Sequence, residues 1–389
     1  MTARYLHLAA PKAIAAIRRC AAIRRCAATP PVIAAVPHPP ARAAAARRWT
    51  GVAVLLAALA LAVAGCGSSN TSASANLGGA SSLPPPLPHP VAVTLILDFT
   101  PNAVHAGIYR ALAAGYYRRE QIDLQVREPS ATVEPLALVA AGRAQLGLAD
   151  GSDVAGAIAH GAGDEAVMAI VQRPVGGLIA LASEHLRSPA QLAGRAVGIT
   201  GVPSDLAVLD TEVRHAGGDP AKVHVVTVGF DGARALLAGR VAAFTGFIPD
   251  DGVGLAVEGH PITPFWLYRA GGPGYPGLVA FTSRSLARAD PALVRDFVAA
   301  TVRGYEDTLR DPSRSLSELL AANPTLPRAL TAASLRAYLP LLDAGGVPFG
   351  TLQPPRIEAL SRWMLANRLI SSPVPFARYG SDAFLPRSP

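Results

Sequence analysis

The sequence predicts an α/β protein made of two similar lobes, each a mostly parallel sheet flanked by helices. From residue 91 onward, short β-prone runs alternate with helical patterns, which is typical of βαβ units. Residues 137–147 and 235–246 also resemble each other, because both pass from a helical pattern through a glycine into an apolar run. The same order recurs in many α/β proteins, so this similarity alone does not establish two lobes.

Six β-prone runs define the predicted strands, and the helical patterns lie between and after them. The predicted strands are Thr94–Leu97, Leu146–Ala149, Ala166–Val171, Ala196–Thr200, Val223–Val228 and Ala242–Thr245. The predicted helices are Ala103–Ala114, Leu206–Ala216, Pro291–Leu309 and Pro355–Leu369. Gly115 is expected to end the first of these helices at its C-terminal cap.

Residues 1–65 are predicted to be an N-terminal extension followed by a secretion signal. Arg47 and Arg48 precede an apolar run over residues 52–64 that is too short to span a bilayer, and the adjacent arginines permit either Sec or twin-arginine export. Val63-Ala64-Gly65-Cys66 is typical of a lipoprotein processing box. We therefore expect cleavage before Cys66 and acylation of its thiol. An ordinary secreted protein with a stray cysteine is the alternative.

Charge and cysteine content exclude several classes of function. Nine of the 35 basic residues precede Cys66, where there is no acidic residue, so the rest of the chain is nearly balanced, with 26 basic and 27 acidic residues. This balance gives no support for a nucleic-acid-binding surface. No cysteine follows Cys66, so the mature chain has no disulfide and no thiolate for metal or nucleophilic chemistry.

Residues 66–89, rich in Ser, Gly, Ala and Pro, are expected to be a disordered tether.

The most informative motif lies at the end of the first predicted strand. Asp98, Asn102 and His105 fall between that strand and the helix that follows, so they are expected at the carboxyl end of a sheet, where α/β proteins bind ligands. Asp98 is also a plausible turn or helix cap, and His105 a buried structural histidine. From the residues alone, each of Asp98 and His105 could therefore have either a ligand-binding or a structural role.

The segment Leu97-Asp98-Phe99-Thr100-Pro101-Asn102-Ala103-Val104-His105-Ala106-Gly107-Ile108-Tyr109 closely resembles the opening of the thiamine-precursor (pyrimidine) binding proteins of ABC importers. That family also contains the thiamine pyrimidine synthases, and its usual form has a Trp where this chain has Phe99. The resemblance covers about residues 93–370. It implies a two-lobed periplasmic-binding fold of type II with the ligand in the cleft between the lobes.

The same resemblance implies the lobe boundaries and the partners. Lobe 1 is expected over residues 91–180 and lobe 2 over 181–277, while residues 278–375 return to lobe 1 and add C-terminal helices. It also implies a protein that delivers a small molecule to permease subunits, without catalytic residues or cofactors. Together with the anchor expected on Cys66, this predicts a monomer on the extracytoplasmic face of the cell membrane.

The resemblance assigns ligand contacts to residues in both lobes. Asp98, Phe99, Asn102 and His105 match its opening motif, and Ser204 and Asp205 match a near-identical Gly-x-Pro-Ser-Asp, although spacing alone favours a helix cap for these two. Phe247 and Asp250 occupy a third segment, in which Pro249 and Asp250 depart from the family pattern. Tyr275 is expected either to line the cleft or to belong to a rigid turn. Phe99, Phe247 and Tyr275 are the candidate stacking faces.

Enzymatic alternatives find little support in the sequence. No nucleophile elbow, phosphate loop or Rossmann fingerprint stands at a strand-to-helix junction, and the nine histidines show no paired metal-ligand spacing. The synthase branch of the family is understood to use a lysine-bound pyridoxal phosphate and a cysteine-rich iron-binding run. This chain has only Lys12 and Lys222 and lacks those cysteines. A third possibility is the same fold binding a sulfonate, nitrate or other heterocycle, and the predicted carboxylates disfavour an anion.

Overall fold

The computed structural model describes residues 89–130, 134–343 and 345–386. The predicted signal, Cys66 and all but the last residue of the predicted tether lie outside these residues. Within them, no helix combines the length and the apolar character needed to cross a bilayer.

Two five-stranded sheets form the centres of two lobes. The strands are β1 Val91–Ile96, β2 Ile122–Arg127, β3 Leu146–Ala149, β4 Asp164–Val171, β5 Gly176–Leu181, β6 Ala196–Ile199, β7 His224–Thr227, β8 Ala243–Phe247, β9 Ile262–Trp266 and β10 Leu278–Ser283. The first sheet has the order β2-β1-β3-β10-β4 and the second β7-β6-β8-β5-β9. All six predicted strands are present, and the prediction of an α/β fold with two lobes is confirmed.

The two sheets share one topology. In each, three strands pair in parallel, and the next is antiparallel to both of its neighbours, β10 in the first sheet and β5 in the second. Four strands of each sheet therefore point the same way and one points back. The predicted strands do not include β2, β5, β9 and β10. β2 alternates apolar and polar residues, so its period of two was an available signal, whereas glycines begin β5 and a proline interrupts β9.

The chain crosses between the lobes earlier than expected. β4 belongs to the first sheet and β5 to the second, so the outward crossing lies at residues 172–175 and not near residue 180. The return crossing, residues 267–277, comes between β9 and β10. The antiparallel strand of each sheet is thus the one that follows a crossing.

Helices cover the sheets. They are α1 Ala106–Ala113, α2 Tyr116–Arg119, α3 Glu134–Ala140, α4 Gly151–Ala159, α5 Pro203–His215, α6 Gly232–Leu237, α7 Val253–Val257, α8 Arg284–Ala289, α9 Pro291–Arg310, α10 Pro312–Ala322, α11 Arg328–Leu342, α12 Pro354–Ala366 and α13 Phe376–Tyr379. Gly115 follows α1 with φ of 70°, as predicted for its cap.

The C-terminal helices complete the first lobe. Leu293 and Phe297 of α9 and Leu335 of α11 are buried in the same core as the apolar residues of β1 and β4. α11 also contacts residues 248–252 and α7 in the second lobe. A second link between the lobes is the hydrogen bond from the Trp363 indole of α12 to the Thr211 hydroxyl of α5, at 2.9 Å.

Close packing of α1 on α9 fixes the start of α1. A Cβ atom added at Gly107 would lie 2.4 Å from the Tyr305 ring, and one added at Gly304 would lie 2.1 Å from the Gly107 carbonyl oxygen. The Tyr305 hydroxyl donates a hydrogen bond to the Val104 carbonyl at 2.9 Å. This contact holds the backbone one residue before His105, so helix packing and site geometry are coupled here.

We expect Gly107→Ala to destabilise the protein by about 1–3 kcal/mol, because the added methyl group overlaps the buried Tyr305 ring. The matched control is Gly156→Ala in α4, where the nearest atom would lie 3.8 Å away and the helix propensity of alanine favours folding by up to about 1 kcal/mol. Urea denaturation measures both variants. Equal stability of the two would contradict the close-packing argument.

Glu212 of α5 is a buried acid in the second lobe. Its side chain is 0% exposed, and within the described ranges neither carboxyl oxygen has a hydrogen-bond partner. Burial raises the pKa of Glu212 to about 9, an effect that the nearby Leu178 backbone only partly offsets. Between the ordinary glutamate pKa and about 9, the folded state therefore binds more protons than the unfolded state.

The free energy of unfolding should consequently fall as the pH rises through this interval. Asp150, Asp153, Asp164 and Asp250, whose pKa values are raised to about 6 to 7, contribute to the fall at lower pH. The window from about pH 7.5 to 9 therefore isolates Glu212. We expect Glu212→Gln to flatten the loss of stability there, whereas Glu258→Gln, at an exposed position, leaves it unchanged. Unfolding curves across this window test the expectation, which a parallel decline in both variants would contradict.

Candidate functional site

Polar loops from both lobes follow the carboxyl ends of their strands. Asp98 comes after β1 and Asp150 after β3 in the first lobe, while residues 200–205 follow β6 and residues 247–251 follow β8 in the second. The loops after β1 and β8 meet at the same helix, because α11 contacts residues 103–105 in the first lobe and residues 248–252 in the second. These loops therefore lie at one cleft.

His105 and Asp98 form the best-defined part of the cleft. The His105 ring is 0% exposed, and its Nε2 lies 2.8 Å from Asp98 Oδ1. Its Nδ1 accepts a hydrogen bond from the Asn102 backbone N–H at 3.1 Å. Because an amide N–H only donates, Nδ1 carries no proton, and Nε2 donates to Asp98. A neutral histidine thus fixes one carboxylate oxygen, while Oδ2 has no partner within the described residues.

This geometry assigns different roles to the residues of the opening motif. Asn102 caps the short 3-10 helix Ala103–His105, since its Oδ1 accepts from the Val104 backbone N–H at 2.9 Å and its Nδ2 donates to the Thr100 carbonyl. Both ring nitrogens of His105 are occupied within the protein. Asn102 and His105 therefore hold this loop and the Asp98 carboxylate in place, and the ligand contacts expected for them stay predictions.

The loop after β6 is organised by Asp205. Its Oδ2 accepts hydrogen bonds from the backbone N–H groups of Thr200 and Gly201, at 2.8 and 3.3 Å, and from the Thr200 hydroxyl. This supports the local structural role that spacing alone favoured, although Asp205 bonds the loop before α5 and does not occupy the cap position itself. Ser204 is half-buried in the first turn of α5.

Residues 247–251 bring the second lobe to the cleft. Asp251 Oδ2 accepts from the Phe247 backbone N–H at 2.8 Å and so fixes the loop. The half-buried Asp250 carboxylate accepts a hydrogen bond from the buried Tyr338 hydroxyl of α11. Burial raises the pKa of Asp250 to about 7; the Tyr338 bond opposes this shift, and the charges of Asp251 and Asp98 add to it.

Sequence reasoning did not assign Asp150 and Asp153 to the site. Asp150 caps α4, with Oδ1 accepting from the Ser152 backbone N–H at 2.7 Å and from its hydroxyl at 2.6 Å. Burial raises the pKa of Asp150 to about 7, and the charges of Asp153 and Asp98 add to the shift. The position of the Asp150–Asp153 loop after a predicted strand was the available signal. Tyr338 lies far away in the sequence, and no sequence pattern indicated that it belongs to this site.

Two of the three predicted stacking faces are open. Phe99 is 52% exposed and Phe247 is 45% exposed, one in each lobe. Tyr275 is only 6% exposed and packs in the first-lobe core with Tyr379. Its ring is therefore buried and does not offer an open face, because the return crossing is pressed against α4 at Gly151, where an added Cβ atom would lie 2.2 Å from the Pro276 carbonyl oxygen.

Two lobes with matching topology, joined by crossing segments and enclosing a polar and aromatic cleft, define the class of periplasmic-binding-protein folds. Among solved structures, the periplasmic aliphatic sulphonate binding protein SsuA from Escherichia coli has this fold, with a TM-score of 0.60 and 17% identity over 75% of this chain and 92% of that one.

Sequence comparison narrows the class to a family. Residues 102–315, more than half of the chain, match the family described as NMT1/THI5 like. The formylaminopyrimidine-binding protein of Halalkalibacterium halodurans is 31% identical over 75% of this chain and 89% of its own length. A 4-amino-5-hydroxymethyl-2-methylpyrimidine phosphate synthase of Legionella pneumophila is 27% identical over 60% of this chain and 74% of its own. The chain belongs to the NMT1/THI5-like family.

His105→Ala should lower the free energy of unfolding by roughly 2–4 kcal/mol, because it leaves a cavity and removes both ring hydrogen bonds. Phe99→Ala, at an exposed position, is the matched control and should change stability by less than about 0.5 kcal/mol. Thermal unfolding compares the two variants, and long-range ¹H–¹⁵N NMR on the wild type should show a proton on Nε2 of His105 and none on Nδ1. A proton found on Nδ1 would contradict the positioning role.

Proposed function

We propose that this protein is the substrate-binding component of an ABC importer and that its cleft captures a thiamine-precursor pyrimidine. The observation that carries the proposal is Asp98, whose Oδ1 is fixed by His105 while Oδ2 stays available beside the exposed Phe99 ring. A carboxylate accepts N–H bonds from an aminopyrimidine, and an aromatic ring stacks on its face. The 31% identity to a formylaminopyrimidine-binding protein supports the same ligand class.

In this proposal the chain works by binding and lobe closure, without a covalent step. The lobes are joined at residues 172–175 and 267–277, and α11 contacts both of them, so hinge motion is able to open and close the cleft. Phe99 and Phe247 would approach the ligand from opposite lobes. Asp250, held by Tyr338, would meet it from the second lobe.

A synthase-like activity is disfavoured by the one lysine in the described residues. Lys222 precedes β7, at the edge of the second sheet opposite the cleft, and is paired with Asp219 at 3.9 Å. It does not fit a lysine that would hold pyridoxal phosphate beside Asp98. No group of three or more potential metal ligands occurs within the described ranges.

A sulfonate or nitrate ligand is also disfavoured, despite the likeness in fold. The Asp98 carboxylate keeps one oxygen without a partner among the described residues, and an anion beside it would meet charge repulsion. The same fold with a different heterocycle remains the main competing function, since Phe99 and Pro249 depart from the usual family pattern.

The proposal includes a lipid anchor on Cys66 and a position on the extracytoplasmic face of the cell membrane. Its support is the basic, apolar and small-residue order of residues 47–66. The chain would act as a monomer and pass its ligand to permease subunits. Its balanced charge beyond Cys66 gives no reason to add nucleic acid to these partners.

Isothermal titration of the full-length protein tests the ligand class. We expect saturable binding of the hydroxymethyl- or formylaminomethyl-pyrimidine at micromolar affinity or tighter, about −8 kcal/mol, and no binding of taurine or nitrate. Phe99→Ala should weaken pyrimidine binding by about 1 kcal/mol through lost stacking, whereas Phe99→Trp, which restores the usual family residue, should retain it. Binding of taurine or nitrate with no pyrimidine heat would exclude the thiamine-precursor assignment.

A further inference from the structure

A cavity of about 280 Å³ lies in the second lobe, beside the return crossing. Its wall combines the C-terminal end of α5, the end of β9, residues 187–189 and residues 269–270 of the crossing. None of these residues belongs to the loops that follow β1, β3, β6 and β8, so the cavity is separate from the cleft. Its volume is just below the range of about 300–1,000 Å³ that is usual for drug-sized ligands, so it suits a small molecule.

A buried acid without a partner forms the inner end of this cavity. Glu212 is the one acid among the described residues of the wall, and its side chain is 0% exposed. Neither of its carboxyl oxygens has a hydrogen-bond partner within the described ranges. A Cβ atom added at Gly177 would lie 3.1 Å from Glu212 Oε1 and would overlap the Phe265 carbonyl oxygen. The carboxyl group is therefore located where α5 meets β5 and β9.

Glu212 differs from the other acids whose buried oxygens lack partners. Asp296 has Arg295 at 2.8 Å from its other oxygen. The positive charge of Arg284 acts on Asp164. Among the described residues, no Arg or Lys lies within salt-bridge distance of Glu212. Because a buried carboxylate without a cation is costly, Glu212 is held in its neutral form, and its raised pKa agrees with this.

The neutral carboxyl group restricts the chemistry of a ligand that could pair with it. It has one O–H donor and one carbonyl acceptor side by side. An amide has the matching pair, a carbonyl acceptor and an N–H donor, so the two groups form two parallel hydrogen bonds. A ligand with an amide end would thus satisfy both oxygens of Glu212.

The outer end of the cavity is basic. Arg187, His215 and Arg269 belong to its wall and are exposed. Neither arginine has an acid within salt-bridge distance among the described residues, and the Arg269 guanidinium lies over the Tyr268 ring, 5.4 Å from its centroid. Guanidinium groups bind carboxylates through paired N–H bonds. The wall therefore combines a neutral hydrogen-bonding end with an anion-binding end.

We infer that this cavity is a second ligand site, which takes a small organic acid with an amide group at one end and a carboxylate at the other. The Glu212 O–H donates to the amide carbonyl, and the amide N–H donates to the Glu212 carbonyl. The carboxylate of the ligand pairs with Arg187 and Arg269. This site is additional to the pyrimidine cleft and does not depend on it.

Three ligands of matched size test the site by NMR titration of the ¹⁵N-labelled full-length protein. Succinamate has both ends, levulinate has a methyl group in place of the amide NH₂, and butyramide has a methyl group in place of the carboxylate. We expect saturable shifts with succinamate at residues 187–189, 212–216 and 264–270, and roughly tenfold weaker binding of the other two. Shifts confined to residues 98–105 and 247–251, or no saturation at about 10 mM succinamate, would overturn the inference.

Two substitutions at Glu212 distinguish a neutral hydrogen-bonding role from a charged one. Glu212→Gln keeps one donor and one acceptor and should retain succinamate binding, whereas Glu212→Leu removes both and should weaken it by roughly tenfold. Loss of binding in Glu212→Gln, with the fold confirmed by its thermal unfolding, would rule out the neutral carboxyl–amide pairing.

Arg269→Gln tests the outer end at an exposed position. It should weaken succinamate binding by roughly tenfold and leave butyramide binding unchanged, because only succinamate has a carboxylate. Arg240→Gln, at an exposed arginine of the second lobe outside the cavity wall, is the matched control. Equal succinamate affinity in these two variants would overturn the anion-binding role. Pyrimidine binding in the cleft should be the same in all of these variants, so failure of this site is distinguishable from failure of the proposed function.

Discussion

The arrangement of the whole protein depends on two antiparallel strands, β5 and β10, that receive the chain after it crosses between the lobes. Each is inserted between two strands of its own sheet, β5 between β8 and β9 and β10 between β3 and β4. Because both lobes use this topology, the carboxyl ends of their parallel strands meet at one cleft. Residues far apart in sequence, such as Asp98 and Asp250, are near each other for this reason.

Within the cleft, polar side chains divide into those that hold the backbone and those that face outward. The side-chain oxygens of Asn102, Asp205 and Asp251 accept hydrogen bonds from nearby backbone N–H groups. Those N–H groups would otherwise lack partners at the ends of strands and helices. Both ring nitrogens of His105 are hydrogen-bonded within the protein, Nδ1 to the Asn102 backbone N–H and Nε2 to the Asp98 carboxylate. This local bonding fixes the carboxylate of Asp98 in place, and a rigid acceptor loses less conformational entropy when a ligand binds.

The same cleft combines acidic groups with restricted access to water. Burial favours protonated carboxyl groups, and the charges of neighbouring acids act in the same direction. Tyr338 couples this electrostatic environment to architecture, since its hydroxyl reaches Asp250 from a helix that packs mainly in the first-lobe core. A change in the position of the second lobe would therefore alter both the shape of the cleft and the environment of its carboxyl groups.

The sequence by itself determined the α/β class, six of the ten strands that the structure describes, the C-terminal helices α9 and α12, and the family. These features depend on local apolar patterns and on a motif of contiguous residues, and both can be recognised in the sequence alone. It also located the polar loops at strand ends, including the loops of Asp98 and Asp250.

Only the tertiary structure decided the assignment of β5 to the second lobe and the burial of Tyr275. It also decided which hydrogen bonds Asp98, Asn102 and His105 make with one another. Each of these depends on which atoms meet across long stretches of chain. Tyr338 illustrates the reason: its hydroxyl lies on Asp250 although 88 residues separate them, and no local pattern records such a contact.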